Sequence, residues 1–141
     1  MLEIFGFGKL LFELRPFGSE YRREGLCLER DSLVVSVHIP RTGEPLDMES
    51  KDNSYRLAKE FYQPIFGTNK KIPFFCSSWL LFQRNKEFLK PTSNLRAFMD
   101  DYEIISEAEY DDYEETWRLF GKNFYSLGGY AAKYFFVACL R

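Results

Sequence analysis

The chain has 141 residues, 45% of them hydrophobic and 18% aromatic, enough for one domain with a real core. With 19 Lys+Arg against 21 Asp+Glu the net charge is −2, which excludes the overall positive field of a nucleic-acid binder. No basic region precedes the apolar residues at the N-terminus, the longest apolar runs fall far short of a membrane span, and Cys27, Cys76 and Cys139 form neither a close pair nor an even set; the expectation is a soluble, unexported, cytoplasmic chain with no membrane partner, disulfide framework or metal site.

In chain order, Gly6 and Gly8 form a lone Gly-x-Gly with no strand–helix context, too little for a phosphate loop. "KLLFELRPF" then alternates Leu10, Phe12 and Leu14 with Leu11, Glu13 and Arg15, a strand that Pro16 ends. "EGLCLER" and "SLVVSVHIP" flank Arg30-Asp31-Ser32, whose side chains suit a turn, so the N-terminal third is expected to be an antiparallel meander. Along the third strand Leu33, Val35, Val37 and Ile39 face one way and Val34, Ser36 and His38 the other, and Pro40 closes it. Asp47 is placed to cap a helix whose apolar residues are Met48, Tyr55, Ala58, Tyr62 and Ile65, finished by Pro64 and Gly67. "IPFFCSSWLLF" is continuously apolar, as a central strand covered on both faces would be, and the long intervening helix makes it parallel to the strand ending at Ile39. Thr92 or Ser93 caps a short helix, "YEIISEAEY" returns as a strand, and Tyr113, Trp117 and Phe120 recur at helical spacing before Gly121. The tail "SLGGYAAKYFFVACLR" puts Leu127, Tyr130, Ala131, Tyr134 and Phe135 on one face and reads as a last helix. The class is α+β, a single domain over 1–141.

Several side chains carry chemistry in principle. His38 is the only histidine; it suits a base that activates an amine, or a hydrogen-bonded structural role. Cys76, Ser77 and Ser78 on the neighbouring strand could be drawn as nucleophiles beside it, but no third orienting group or Gly-rich elbow accompanies them, so packing accounts for them better. Trp79 is most simply core, and Asn94 most simply fixes a helix start. Nine acidic residues lie between Asp100 and Glu115 with no Lys or Arg among them; this is a solvated face, or a field that draws a cationic amine.

"VVSVHIPRTGEPLD", "FFCSSWLL" and "KPTSNLRAF" together resemble the GNAT-like C-terminal domain of bacterial acyltransferase-domain proteins, a branch of the N-acyltransferase fold. The resemblance covers about residues 9 to 121 and fits loosely on to 135. It implies a mixed, mostly antiparallel sheet flanked by helices, with acetyl-CoA or another acyl-CoA held in a splay between the strand ending at Ile39 and the strand through Cys76. By the same resemblance Val37 and Ile39 would pair with the pantetheine amides. Arg41, Thr42 and Gly43 would receive the pyrophosphate where helix amides converge. Tyr102 sits near where such enzymes place a tyrosine that protonates the leaving thiolate. The turn "RTGEPL" departs from the wider pattern, because Glu44 would repel phosphate and Pro45 has no N–H. The family usually carries a helical domain ahead of this one, for which a chain beginning at Met1 leaves no room; the expectation is either that a separate helical domain or protein partner supplies it or that the chain is a divergent remnant. The activity implied is acyl transfer to a small amine or peptide by direct attack on the thioester; the alternative is a non-catalytic module that binds a partner or acyl-CoA without turnover.

Overall fold

The computed structural model describes residues 3–18, 20–23, 25–40, 44–78, 81, 83–109 and 134–140. Its strands are β1 (Ile4–Phe7), β2 (Leu10–Pro16), β3 (Tyr21–Arg23), β4 (Leu26–Leu28), β5 (Leu33–His38), β6 (Phe74–Ser78), β7 (Tyr102–Glu109) and β8 (Tyr134–Leu140); its helices are α1 (Met48–Phe66) and α2 (Asn94–Asp100). Six strands form one sheet in the order β1-β2-β5-β6-β8-β7, and β3 with β4 forms a separate two-stranded ribbon. Among the described strands of the large sheet only β5 and β6 run parallel, linked by α1. The expected α+β architecture, mixed and mostly antiparallel, is what the chain adopts.

The meander differs from expectation in two ways. First, β1 adds an edge strand through the two-residue turn Gly8–Lys9, with Phe7 opposite Leu10. Gly8 has φ +61° and a Cβ there would lie 2.5 Å from the Ser54 Oγ of α1, so glycine serves both the turn and the close approach of the helix. The same Oγ accepts from the Lys9 amide at 3.0 Å and donates to the Ser50 carbonyl at 2.9 Å. Second, the turn at 29–32 forms, with Glu29 N donating to Ser32 Oγ at 2.9 Å, but the strands it joins do not pair. One edge of β5 is taken by β2 and the other by β6; β4 therefore turns out of the sheet and pairs with β3.

Two apolar layers result. Leu10, Phe12, Val35, Val37, Phe74 and Cys76 meet Tyr55, Ala58 and Tyr62 of α1 on one face, and Phe17, Leu28, Val34 and Phe75 pack on the other. Consecutive residues Val34 and Val35, and again Phe74 and Phe75, enter opposite layers, which is why these strands read as unbroken apolar runs. Asp47 caps α1 as expected, accepting from Ser50 N at 2.8 Å. Met48 and Ile65, expected on its buried face, are 62% and 50% exposed; a helix of 19 residues spans about 28 Å and overhangs a strand of six. It also continues through Pro64 to Phe66, and Gly67 alone ends it.

The tail is the main correction. Over 134–140 it is not a helix but β8, inserted between β6 and β7, with Cys139 opposite both Phe75 and Glu103. A strand paired on both edges is fixed by those distant partners, which the local spacing of apolar residues does not record. The helix expected around Tyr113, Trp117 and Phe120 lies outside the described residues.

α1 and α2 are tied by an ion pair. Lys51, 3% exposed, places its ammonium on Asp101 Oδ2, with Asp52 more distant at 3.8 Å. Asp101→Ala should destabilise the domain by about 2 kcal/mol in urea unfolding, less than for a fully buried pair because the Asp101 carboxylate is 30% exposed. Adding Lys51→Met should recover most of the loss, since the cost lies in the orphaned ammonium; an additive double variant would show that the pair is not coupled.

Candidate functional site

The parallel register of β5 and β6 has only two pairs, Val35 with Phe74 and Ser36 with Phe75. Beyond them β5 continues on β2 as far as His38, while β6 continues on β8 as far as Ser78. Both strands persist, yet they part, and a wedge opens toward their C-terminal ends. Its β5 wall is set by alternation. Val35 N donates to Pro73 O at 2.9 Å, on the β6 side, so the N–H and C=O of Val37 also point to that side. The paired residues hold the closed end shut through their side chains. Phe74 stands edge-on to Phe12 and Tyr55, with ring centroids 5.9 and 6.0 Å apart. Phe75 stands edge-on to Phe17 at 5.9 Å in the other layer. Neither phenyl ring is in the wedge, and Trp79 lies outside the described residues.

His38 stands at the mouth, on the face opposite α1. Its Nε2 is 3.1 Å from Oε2 of Glu13, one strand over, with side-chain exposures of 36% and 16%. With Nε2–H donating to the carboxylate, Nδ1 carries the lone pair. Glu13 was not singled out from sequence. The signal was there in part, a carboxylate in an otherwise apolar strand, but the pairing depends on the register that puts Leu11 opposite His38 and Glu13 opposite Ser36.

The other candidates scatter. Cys76 is buried on the α1 side of the sheet, away from His38, and burial pushes its thiol up to about 12; the structure does not bring Cys76 and His38 together. Ser77 is exposed and Ser78 already has a partner. Tyr102 pairs with Leu140, the neighbour of Cys139, which pairs with Phe75, so it lies level with the closed end. It is 1% exposed, its hydroxyl accepts from Tyr55 at 3.1 Å, and burial first, then the nearby Tyr55, hold its phenol well above the ordinary tyrosine range. Arg41, Thr42 and Gly43 lie outside the described residues. The adjoining helix start is acidic: the Asp47 carboxylate occupies the Ser50 amide and Glu49 follows in the first turn, so the positive end of α1 is already complemented. Asn94 is exposed at the first turn of α2. Among the described residues no group of three or more His, Cys, Asp or Glu could hold a metal ion, and no helix is long and apolar enough to cross a membrane.

Comparison with known proteins agrees with the fold. The profile of the GNAT-like C-terminal domain matches residues 4–133. No curated protein matches the chain. Among solved structures, an acyltransferase in complex with decanoyl-CoA and teicoplanin superposes with a TM-score of 0.66 at 18% identity, over 97% of this chain and 46% of that one. A mutant acyltransferase in complex with octanoyl-CoA gives a TM-score of 0.65 at 17% identity, over 98% and 46%. The chain thus spans less than half the length of the structures it resembles.

Proposed function

The chain belongs to the family of GNAT-like C-terminal domains, and from that membership we propose that it takes an acyl-CoA into the wedge between β5 and β6 and supports transfer of the acyl group to an amine. The observation that carries this reading is the two-pair register, which leaves the Val37 peptide group facing an opening between two intact strands. In this reading that edge pairs with the pantetheine amides as a missing strand would, and Arg41, Thr42 and Gly43 meet the phosphates. The amine nitrogen attacks the thioester carbonyl carbon, and its proton passes to His38 Nδ1 while Glu13 holds Nε2. The carbon–sulfur bond breaks, and the departing thiolate is protonated from solvent at the mouth. Tyr102, sealed at the closed end with its proton tightly held, takes no part. Proximity and backbone polarisation of the carbonyl supply most of the acceleration. The acceptor would be a small amine or peptide, and a further helical module or protein partner would cover its side of the wedge. Structures of the same fold hold octanoyl- and decanoyl-CoA, which favours medium chains over acetyl as the acyl group to try first.

One observation favours a second reading, a module that binds without turnover: the carboxylates of Asp47 and Glu49 at the helix start oppose a pyrophosphate there. Titration of octanoyl-CoA, acetyl-CoA and CoA into ¹⁵N-labelled protein tests the first. Amide shifts should concentrate at 37–39 and 76–78, and Arg41→Ala should weaken binding by about tenfold, the value of a charge-assisted phosphate contact. Absence of shifts there at millimolar ligand would overturn the wedge as an acyl-CoA site.

A further inference from the structure

At the closed end of the sheet, remote from the wedge mouth, lies a cavity of about 360 Å³ between the C-terminal half of α1, the segment leading into β6 and the β3–β4 ribbon. Its size falls within the range of small-molecule pockets. Four cations line it, Arg23, Lys59, Lys70 and Lys71, and among the described residues no carboxylate does, in a chain whose net charge is −2. Arg23 is committed to Glu103 at 3.0 Å. The ammonium groups of Lys59, Lys70 and Lys71 have neither hydrogen bond nor ion pair among the described residues.

All three lysine side chains are exposed, and two of them lie against glycine backbone. A Cβ on Gly25 would lie 2.7 Å from Lys71 Nζ, and one on Gly67 would touch the Lys70 stem at 3.5 to 3.9 Å. Each lysine therefore lies over bare glycine backbone, and Gly25 with φ +78° is also in a conformation other residues rarely adopt. The plain account of lysines after a helix is that they satisfy its last carbonyls. Here the Gly67 amide takes the Gln63 carbonyl at 2.9 Å, the Gln63 side chain holds the loop beyond by donating to Gly67 O at 2.6 Å and Lys70 O at 2.9 Å, and among the described residues no lysine ammonium bonds a carbonyl there. The lysines are left without a structural task while sharing one concave space and repelling one another.

From this juxtaposition we infer that the cavity is a binding site for a small phosphate monoester with an apolar body. Lysines converging as point charges suit a compact, doubly charged oxyanion. A carboxylate would seek a planar guanidinium fork, and the Arg23 guanidinium is engaged by Glu103. Leu26, Ile72 and Pro73 line the same space and form the surface on which the apolar body lies. The site meets the wedge only at its closed end, through Pro73 and Phe74, and includes none of residues 37–39 or 76–78, so it stands whether or not acyl-CoA binds there.

The test is amide chemical-shift titration of the ¹⁵N-labelled protein with phenyl phosphate, inorganic phosphate and benzoate at low salt, where screening is least. Phenyl phosphate should shift amides at 25–26 and 70–74. Benzoate should bind at least about tenfold more weakly for want of the second charge, and inorganic phosphate several-fold more weakly for want of apolar contact. The triple variant Lys59→Gln, Lys70→Gln, Lys71→Gln should weaken phenyl phosphate by more than about tenfold while leaving shifts at 37–39 with CoA unchanged. Lys71→Gln alone, at an exposed side chain, serves if the triple variant folds poorly, with a smaller loss expected. No shift at 70–74 up to about 20 mM, where any site worth more than a few kcal/mol would be populated, equal binding of all three anions, or unchanged affinity in a folded variant would each overturn the inference.

Discussion

Raising the pH from 8 to 11 should cost the domain roughly 5 kcal/mol of stability, enough to unfold a protein of ordinary stability. Three buried groups carry the effect. Burial pushes the Cys76 thiol up to about 12. It raises the Tyr55 phenol as well, against the lowering effect of the Tyr102 hydrogen bond, and holds Tyr102 well above its usual range. In each case the folded state binds its proton more tightly than the unfolded chain does. The stability they confer is therefore complete below about pH 9 and is lost as pH rises past the unfolded values, near 9 for the thiol and 10 for the phenols, at about 1.4 kcal/mol per pH unit for each group. Urea unfolding at stepped pH measures the slope. Surface lysines titrate in the same range, so the decisive comparison is with Tyr102→Phe: it should lose about 1 kcal/mol at neutral pH for the hydroxyl pair yet show a shallower alkaline limb by about 1.4 kcal/mol per pH unit. An equally steep limb in the variant would mean that Tyr102 ionises no differently in the fold.

The second large effect falls on turnover. Replacing His38 with Gln should lower kcat for thiol release from octanoyl-CoA, measured against a panel of amine acceptors, by about 10² to 10³, the range for losing a positioned general base. Affinity for the acyl-CoA should hardly change, because pantetheine would meet the Val37 backbone and not the imidazole. Glu13→Gln should act more mildly, by about tenfold on kcat, since it disturbs only which nitrogen is protonated and how the ring is held at 3.1 Å. A His38→Gln variant keeping more than about a third of the parental kcat would remove the imidazole from the chemistry, while the wedge titration would stand on its own result.

Family membership was legible because three short stretches, around Val37, Cys76 and Asn94, carry it in local wording. The site was legible only in part. Val37 and Ile39 were legible through the family resemblance, but the partner of His38 was not legible at all, because a diagonal contact between β2 and β5 exists only once their register is set. Sequence spacing places Tyr102 near the family's acid, whereas packing against Tyr55 and Phe98 takes it into the core.

What the sequence by itself determined is what depends on near neighbours along the chain. Asp47 caps α1 through an amide three residues away, Tyr55, Ala58 and Tyr62 share a helical face, Gly67 stops the helix, and the helix length obliges β6 to lie parallel to β5. What only the tertiary structure decided is what depends on distant partners. β1 becomes a strand because α1 and β2 receive it, β3 and β4 leave the sheet because both edges of β5 are occupied, and residues 134–140 become β8 because β6 and β7 each offer an unpaired edge. A helical hydrogen bond closes within four residues and leaves a periodic trace. A strand satisfies its backbone on a segment that can lie 60 or more residues away, as Cys139 does on Phe75, and that choice is made by burial and edge pairing, which no local pattern records.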